Sequence, residues 1–485
     1  MNYYDLLVAT KSKTTSVFTY KHSAELAIGQ VVTVPFRSYT YYAVVVNKST
    51  HRPKTKSILN VLEGSVVPTQ LLAACLKMTK ISALTHSGIA NLLLGAANNR
   101  TTETPTPQKL NPLPALTPKQ KIAVSGVLEH KAKTPVLLHG ITGSGKTRIY
   151  QELCKKSLAS GHSAIVLSPE VGLSSQLEKS MENLAPGCVI TMHSRLTKKE
   201  KEIAWANLAT SSEPYIVVGP RSSLFAPLKN VGLIVMDEFH DDSYKQSSEP
   251  RYHALHAASS LAAEHNAYLI CGSATPNVAD YYNFQKQNYP IIELNSKAKK
   301  GAKPAEIAIV DMTKEAKHQL LSEQSIDAID HALRQGSQSL VFFNRRGTNR
   351  LAICDNCGWQ HACATCEYNM TLHKDRSKLV CHSCGHQESA LSACPDCSHK
   401  ITYRVPGIKK LEEELTNRFE NANIVRFDSD TAKDQSLVNQ LQQVKKTKKT
   451  IILGTQMISK GLDMPLLSLV AVSYTHLTLP TTSRV

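Results

Sequence analysis

Short apolar runs alternate with stretches of helical periodicity through the middle of the chain. Between residues 117 and 297 the apolar runs are PVLLHG, SAIVLSP, YIVVGP, GLIVMDE and AYLICGSATP. Each run is bounded by Gly, Pro or acidic residues, which is typical of the buried strands of a parallel sheet covered by helices. We therefore expect residues 117–297 to form one α/β lobe.

A second series of the same kind follows it. Its apolar runs are SLVFFN, NIVRFD, TIILGT and SLVAV, and a cysteine-rich segment, residues 351–404, interrupts the series after the first run. Because these runs also alternate with helical stretches, residues 305–472 are expected to form a second α/β lobe that carries an insertion.

The two ends of the chain have different patterns. Residues 1–97 start with alternating runs such as QVVTVPF and YYAVVV, which predict a small β-rich module, and continue into a helical stretch. A Pro/Thr-rich linker without periodicity covers residues 98–116. Residues 473–485, SYTHLTLPTTSRV, have neither a charge pattern nor a helical period, and we interpret them as a non-native tail on a truncated reading frame.

Charge adds a prediction about partners. The 485 residues include 56 basic and 39 acidic side chains, a formal charge of +17. Eight thiolates binding two zinc ions would lower this to roughly +13. Such an excess favours a polyanion, most simply nucleic acid, although a generally basic surface would give the same count. With no apolar run of 18 residues and no secretory signal pattern, we expect a cytoplasmic protein without membrane contact.

The segment GITGSGKT has the pattern of a phosphate-binding loop and lies between an apolar run and a predicted helix, as that motif requires. In such a loop, backbone N–H groups and the helix N-terminus bind the phosphates of ATP. Lys146 would reach the β- and γ-phosphates, and Thr147 would ligate magnesium. The predicted ATP-binding residues of the loop are Gly140, Ile141, Thr142, Gly143, Ser144, Gly145, Lys146 and Thr147.

Three further motifs complete a predicted ATPase site. In LIVMDEFH, Asp237 would hold magnesium, Glu238 would polarise the attacking water, and His240 would couple the nucleotide to the second lobe. The Ser and Thr of GSATP would relay the nucleotide state by hydrogen bonds. In LTPKQ, the amide of Gln120 either reads adenine or is an exposed polar group at a helix start. The predicted catalytic residues are Lys146, Asp237, Glu238 and His240.

Eight of the 12 cysteines form four Cys-x-x-Cys pairs within the insertion, which indicates metal rather than disulfides in a chain without an export signal. Four thiolates per ion make a tetrahedral structural site, so we expect two structural zinc ions. Such a block cannot build an ordinary apolar core, and metal binding would supply its folding free energy. The predicted ligands are Cys354, Cys357, Cys363, Cys366, Cys381, Cys384, Cys394 and Cys397, with His361, His373, His382 and His386 as the alternatives.

The order of LTPKQ, GITGSGKT, DEFH, GSATP, FFNRRG, the four Cys-x-x-Cys pairs and GTQMISKGLDMP resembles the primosomal replication-restart helicases. These are superfamily 2 DNA helicases, and the resemblance covers roughly residues 15–472. It implies an α/β fold with two RecA-like parallel-sheet lobes, a small β-rich N-terminal DNA-binding domain and a two-zinc cysteine insertion in the second lobe. The zinc wiring implied by the family is nested, so that the outer two pairs share one ion and the inner two pairs share the other.

The resemblance also implies DNA contacts. DDSYKQSSEPRYH matches the family's aromatic-rich loop, which links DNA binding to hydrolysis, and GTQMISKGLD matches a motif that faces DNA and ATP. The N-terminal module resembles a domain that binds 3′ DNA ends, in which Phe18 would stack on a terminal base; Lys56 is either a phosphate contact or a solvated lysine. The implied DNA-binding residues are Phe18, Lys56, Tyr244, Lys245, Arg251, Tyr252, Thr455, Gln456 and Lys460.

The chain departs from the family pattern at several positions. Thr19 replaces the acidic residue that accepts from the 3′-hydroxyl, which weakens the prediction of end recognition, whereas Phe239 in DEFH is expected to be neutral. Leu255 and His256 remove one cation near the DNA loop. The family's winged-helix domain has no counterpart in the linker 98–116, so the protein is expected to be a reduced form or to bind forks without that wing. The family's C-terminal arginine motif has no counterpart either, so we expect this chain to bind nucleotide weakly and to hydrolyse ATP poorly.

The motifs together favour an ATP-dependent 3′-to-5′ DNA helicase that recognises stalled or branched replication forks, unwinds the lagging strand and initiates primosome assembly. Its implied cofactors are ATP with magnesium and two structural zinc ions. Its implied partners are forked and single-stranded DNA, single-strand-binding protein, and primosome proteins that lead to the replicative helicase. The alternatives are an RNA translocase of superfamily 2, against which the cysteine array argues, and a non-enzymatic fork-binding platform.

Overall fold

A computed structural model of the protein divides the chain into two compact units, residues 1–303 and 304–485. It describes the chain apart from residues 12–13, 51–53, 83, 96–109, 131–132, 170, 193–195, 299–304, 312–319, 344–349, 355, 358, 360, 365–369, 374–377, 382–383, 385, 405–407, 428–442, 455–463 and 474–485. The division falls between the two predicted lobes, while the finer domain borders expected from the sequence stay predictions.

The first unit begins with a five-stranded antiparallel sheet, in the region where alternation predicts strands. The strands are β1 (Asn2–Val8), β2 (Phe18–His22), β3 (Gln30–Phe36), β4 (Tyr39–Ser49) and β5 (Asn60–Val66), in spatial order β2-β1-β4-β3-β5. Neighbouring residues Val31 and Val32 point to opposite faces of β3, and both are fully buried. The sheet therefore packs on both of its faces.

Two helices follow this sheet, α1 (Thr69–Ile81) and α2 (His86–Leu94). Their apolar residues belong to one continuous buried cluster with those of α7 (Ala254–His265) in the first lobe. The indole Nε1 of Trp205 donates to the backbone oxygen of Leu93 at 3.2 Å within this cluster. The N-terminal module and the first lobe thus share a core, so the module is fixed on the lobe.

The first lobe is a seven-stranded, fully parallel sheet with helices, as the apolar runs predict. Its strands are β6 (Pro135–Gly140), β7 (Ser163–Leu167), β8 (Val189–Thr191), β9 (Ile216–Gly219), β10 (Val231–Met236), β11 (Tyr268–Ser273) and β12 (Ile291–Leu294), in spatial order β12-β6-β11-β10-β7-β9-β8. Its other helices are α3 (Pro118–Glu129), α4 (Lys146–Ala159), α5 (Val171–Leu184), α6 (Lys198–Thr210) and α8 (Val278–Lys286). The sequence patterns did not reveal β8 and β12, which are short edge strands.

Strand order decides where the motifs of this lobe meet. β6, β11 and β10 are immediate neighbours, and β6 and β10 end at the phosphate-binding loop and the acidic pair, while β11 carries the start of GSATP. Since parallel strands end at the same edge of a sheet, the three motifs converge there.

The second unit contains the other predicted lobe, a four-stranded parallel sheet. Its strands are β13 (Gln338–Phe343), β19 (Asn423–Phe427), β20 (Thr450–Gly454) and β21 (Leu467–Ser473), in the order β19-β20-β13-β21, with helices α9 (Glu323–Arg334) and α10 (Ile408–Arg418). All four strands lie on the predicted apolar runs.

The cysteine-rich insertion is a separate antiparallel sheet that follows β13. Its strands are β14 (Arg350–Cys354), β15 (Thr371–His373), β16 (Lys378–Val380), β17 (Gln387–Ser389) and β18 (Ile401–Arg404), in spatial order β17-β16-β15-β14-β18. Ala352, Met370, Leu379 and Ile401 are buried beside the cysteines. This is a small cluster of four apolar side chains rather than an ordinary apolar core.

The helices of both units are short. The longest ones that the structure describes, α4 and α5, have 14 residues each, whereas a membrane-spanning helix needs about 20 apolar residues. Across the described ranges, none combines the length and the apolar character that a bilayer crossing requires.

Candidate functional site

The phosphate-binding loop connects β6 to α4 and depends on two left-handed glycines. Gly143 and Gly145 have φ angles of 79° and 81°, which glycine adopts without steric cost. The Lys146 ammonium donates to the backbone oxygen of Gly140 at 2.8 Å, so it lies on the loop. Among the described residues, the Ser144 hydroxyl is buried without a hydrogen-bond partner. Left-handed glycines, a lysine turned onto the loop and an unpaired buried hydroxyl fit the binding of a nucleotide phosphate.

Gln120 ties α3 to this loop. Its Oε1 accepts from the N–H of Thr117 at 3.0 Å in a capping box, and its Nε2 lies 3.4 Å from the backbone oxygens of both Ser144 and Gly145. The side chain is 3% exposed, so it is not the exposed polar group that was the alternative. An adenine contact by Gln120 stays a prediction, and both ends of the amide already have protein partners.

Two tyrosines position Asp237 at the end of β10. The Tyr150 hydroxyl donates to Oδ1 of Asp237 at 2.9 Å, and the Tyr244 hydroxyl donates to the backbone oxygen of Asp237 at 2.5 Å and to that of Leu167 at 3.2 Å. Tyr150 lies on α4, the helix that follows the phosphate-binding loop. The helix carrying Lys146 and the end of β10, where Asp237 lies, are therefore joined by a part-buried hydrogen bond.

Burial, and next the neighbouring charge of Glu238, raise the pKa of Asp237 to about 6, although the Tyr150 hydroxyl and the Lys146 ammonium act in the opposite direction. A carboxylate that is desolvated and close to a like charge is one that a divalent cation stabilises. This carboxylate therefore fits a magnesium ligand.

Glu238, the second residue of the acidic pair, is connected through His240 to Ser273 on β11. Glu238 has φ of 46°, a left-handed conformation that is strained for a residue other than glycine. Its Oε2 lies 3.6 Å from Nδ1 of His240, which shares a hydrogen bond of 2.9 Å with the Ser273 hydroxyl. That hydroxyl also accepts from the N–H of Thr275 at 3.0 Å. A polar chain thus runs from Glu238 into GSATP.

Gly272 leaves room for the link between the two halves of the site. A Cβ atom added at Gly272 would lie 1.7 Å from the Tyr150 hydroxyl oxygen and 2.9 Å from its Cζ. The φ angle of Gly272 is not left-handed, so space alone excludes a side chain there. Sequence analysis missed Tyr150 because its spacing on α4 is that of a core residue.

The predicted DNA contacts in the loop after the acidic pair fall into two groups, one exposed and one buried. Lys245 and Arg251 are exposed. Tyr244 and Tyr252 are 1% and 4% exposed, respectively, and belong to the core of the unit. In this conformation the two cations are open to a phosphate, while the two rings are not open to a base.

Arg221, which sequence analysis did not single out, fixes the same loop. Its Nε donates to Oε1 of Gln246 at 3.1 Å, and its guanidinium also donates to the backbone oxygen of Ser243. The Gln246 amide in turn donates to the backbone oxygen of Pro250 at 2.9 Å. These side-chain hydrogen bonds add to the backbone structure of the loop, which has a 3-10 turn at Asp242–Tyr244 and a bridge between Lys245 and His253.

The N-terminal sheet places a carboxylate next to Thr19. The Thr19 hydroxyl donates to Oδ1 of Asp5 at 2.6 Å, because Asp5 and Thr19 are partners in the register of β1 and β2. Phe18 is half-buried beside them, and Lys56 is exposed. The neighbouring strand β1 therefore places a carboxylate directly beside position 19, which itself has no acidic side chain.

The described cysteines form two clusters with the nested pairing. Cys354, Cys357, Cys394 and Cys397 have Sγ atoms within 4.8 Å of one another, as do Cys363, Cys381 and Cys384. The closest Sγ distances are 3.4–3.6 Å, against about 3.8 Å for the tetrahedral edge of a zinc site with Zn–S bonds of about 2.3 Å. The donor set and the spacing fit zinc, and Cys366 lies outside the described residues.

Two of the alternative histidine ligands have another partner. His361 and His386 each place Nε2 within 2.9 Å of a carboxylate oxygen of Glu388. These hydrogen bonds hold the pKa of Glu388 below its usual range, with His361 as the larger cause. The Glu388 carboxylate thus joins the segment just before Cys363 to the segment just after Cys384. The side chain of His373, and His382 as a whole, lie outside what the structure describes.

The predicted DNA contacts of the second lobe cannot be placed, because they lie outside the described residues. Thr455, Gln456 and Lys460 follow directly on β20, and all three lie outside the described residues. Their DNA contacts stay predictions.

A phosphate-binding loop, an acidic pair and a Ser-Ala-Thr turn on neighbouring parallel strands define the ATPase lobe of a helicase. The family model for DEAD/DEAH box helicases matches residues 117–284. The model for a 3′DNA-binding domain matches residues 7–92, and the model for the PriA DNA helicase Cys-rich region matches residues 363–388.

Individual relatives narrow the class further. Replication restart protein PriA of Bacillus subtilis (strain 168) is 36% identical over 86% of this chain and 53% of its own length. The same protein of Rickettsia felis is 35% identical over 93% of this chain and 70% of its own, and that of Treponema pallidum is 31% identical over 94% and 72%. The chain belongs to the PriA family, as the motif order predicts, and spans about half to seven-tenths of the length of these relatives.

The structure of RecG bound to a three-way DNA junction has a TM-score of 0.43 and 15% identity, covering 74% of this chain and 38% of that one.

The contact between Tyr150 and Gly272 predicts a coupled pair of substitutions. Gly272→Ala should lower the free energy of unfolding by about 1–3 kcal/mol, because the methyl group overlaps the tyrosine hydroxyl. Adding Tyr150→Phe removes that oxygen, so the double variant should lose at least about 0.5 kcal/mol less than the sum of the single variants. Urea unfolding measures all three. Gly161→Ala is the control for additivity: it should lose stability because its φ is 75°, but its added Cβ meets nothing within 4 Å, so its loss should add to that of Tyr150→Phe. Additive losses would contradict the contact.

The raised pKa of Asp237 predicts a pH-dependent gain in stability on neutralisation. The folded state binds this proton more tightly than the unfolded chain, so the carboxylate lowers stability above pH 6 and stops doing so as the pH falls toward 4. Without magnesium, Asp237→Asn should raise the free energy of unfolding by about 1–3 kcal/mol at pH near 7.5 and by clearly less at pH near 5. Chemical unfolding with a chelator present measures this, with the exposed Asp242→Asn as control. An equal gain at both pH values would refute the assignment.

Proposed function

We propose that the protein is an ATP-dependent DNA helicase that moves 3′ to 5′, unwinds the lagging strand at stalled or branched replication forks and initiates primosome assembly. The observation that carries the proposal is the convergence of the loop of Lys146, the acidic pair and the relay of His240 and Ser273 at one sheet edge. Family membership and the match to a 3′DNA-binding domain support DNA as the strand that is moved.

Each side chain has a defined task in this proposal. Magnesium, held by Thr147 and Asp237, would neutralise phosphate charge. Lys146 binds the terminal phosphates, and Tyr150 keeps the Asp237 carboxylate oriented toward the same edge. Glu238 accepts the proton of the attacking water. His240 passes the state of Glu238 to Ser273 and thereby to the GSATP turn.

Positive side chains on exposed segments are proposed to bind the DNA backbone. Lys245 and Arg251 are exposed on a loop that begins three residues after Glu238, which would couple phosphate contact to hydrolysis. Lys56 is exposed on the N-terminal module. Binding should weaken steeply with salt, because each phosphate contact releases counterions.

The wider setting follows from the same proposal. A restart helicase would act in the cytoplasm on forked and single-stranded DNA, with single-strand-binding protein and primosome proteins as partners that lead to the replicative helicase. The two cysteine clusters would each hold a structural zinc ion and give the insertion a rigid surface for DNA or a partner protein.

The role of Lys146 is tested by Lys146→Ala. Loss of the charge at the terminal phosphates should lower DNA-stimulated phosphate release and unwinding of forked DNA by about 10²–10³-fold. Lys119→Ala, which removes an exposed lysine on α3, should leave both rates unchanged. If forked RNA is unwound as fast as forked DNA, an RNA translocase is favoured instead. If Lys146→Ala abolishes hydrolysis but retains all restart activity in cells, a non-enzymatic platform is favoured.

Zinc stoichiometry tests the two clusters separately. Native mass spectrometry should find two zinc ions per chain, and one ion after either Cys354→Ser or Cys381→Ser, because each substitution removes a ligand from a different cluster. Cys75→Ala, which changes a buried cysteine of α1 that belongs to neither cluster, should leave two. A single ion in the unsubstituted protein would refute two sites.

A further inference from the structure

Four aromatic rings form a continuous row on one side of the N-terminal sheet. Phe18 lies edge-on to Phe36 with ring centroids 4.8 Å apart, Phe36 to Tyr41 at 6.3 Å, and Tyr41 to Tyr39 at 6.4 Å. Phe18 is on β2, and the other three lie in the hairpin of β3 and β4. We call Phe18, Phe36, Tyr41 and Tyr39 the ring row.

The ring row is anchored at one end and open at the other. Phe18, Phe36 and Tyr41 pack against the buried cluster of the sheet, whereas Tyr39 is 71% exposed. The Tyr20 hydroxyl donates to the backbone oxygen of Pro35 at 3.2 Å, which ties the hairpin to β2. With this exposure at the hairpin tip, Tyr39 contributes little to packing, and its ring is accessible to a ligand.

One cation lies beside these rings, and the module that carries them is basic as a whole. Arg37 is exposed, and its guanidinium carbon lies 5.9 Å from the ring centroid of Phe36. Residues 1–97 contain ten Lys and Arg and three Asp and Glu, a net charge of +7. Aromatic faces with cations beside them are what single-stranded nucleic acid binds, because bases stack on the rings while phosphates meet the cations. A neutral or basic protein partner would not use this excess of charge.

We propose that the ring row, with Arg37, is a stacking surface for the unpaired bases of a single nucleic-acid strand, and that the strand extends from Phe18 to Tyr39. The proposal rests on the proposed function and deepens it, since it gives the strand a path along the module beyond the site at Phe18. Duplex does not fit this path, because paired bases have no free face for the rings.

The test compares Tyr39→Ala with the unsubstituted protein in binding to labelled oligothymidylate, measured by fluorescence anisotropy without ATP. A lost stacking contact should weaken binding about 5- to 150-fold, while Tyr39→Phe keeps the affinity. The melting temperature should not change. Tyr282→Ala removes a tyrosine that is 58% exposed on α8 of the first lobe, and it should bind like the unsubstituted protein.

A second oligonucleotide separates stacking from charge. On a strand of the same length whose sugars carry no bases, Tyr39→Ala and the unsubstituted protein should bind equally. A matched single-stranded RNA shows whether the surface accepts both kinds of strand, and a loss on either supports the proposal. Unchanged affinity of Tyr39→Ala for both oligothymidylate and the RNA would overturn the proposal and would leave a protein partner as the occupant.

Failure of this inference is distinguishable from failure of the proposed function. Binding without ATP does not use the phosphate-binding loop, so Lys146→Ala should bind oligothymidylate normally. Normal strand binding by Tyr39→Ala together with an active ATPase would refute only the ring row. A lost affinity in Tyr39→Ala without any ATPase in the unsubstituted protein would refute only the motor.

Discussion

The chemistry of the first lobe depends on three parallel strands being immediate neighbours. β6, β11 and β10 are buried in the middle of the sheet, and the residues at their ends come from motifs far apart along the chain. Parallel strands need long crossovers, so the segments between the motifs become the covering helices. The strands alone therefore bring three motifs together at one edge of the sheet: the phosphate-binding loop, the GSATP turn and the acidic pair.

Positioning of the acidic pair opposes folding stability, and packing compensates for it. Asp237 is desolvated beside Glu238, and Glu238 has a left-handed backbone, both of which are unfavourable in a protein that only has to fold. The Tyr150 hydroxyl offsets part of this by its hydrogen bond to Asp237, but it reaches the carboxylate only because Gly272 has no side chain. Gly272 of GSATP thus allows Tyr150, on the helix after the phosphate-binding loop, to orient Asp237 of the acidic pair.

The insertion and the N-terminal module reach stability by other routes. The insertion has strands of only three to five residues and four buried apolar side chains beside its thiols, so its two cysteine clusters replace a conventional core. The N-terminal module instead shares its core with the first lobe through α1 and α2. A strand bound on the module would therefore be held in a fixed position relative to the ATPase site in that lobe.

Local pattern was sufficient for much of this protein. Apolar runs bounded by Gly and Pro predicted the central strands of both lobes, and the phosphate-binding loop, the acidic pair and the Cys-x-x-Cys spacing predicted the clusters, because in each case the chemistry lies within a few consecutive residues. Tyr150 and Asp5 escaped prediction because their partners, Asp237 and Thr19, are brought to them by the helix-to-strand packing and by strand register. Only the tertiary structure decided that Tyr244 and Tyr252 are buried while Lys245 and Arg251 are exposed, since burial depends on what packs against a segment and not on the order of residues within it.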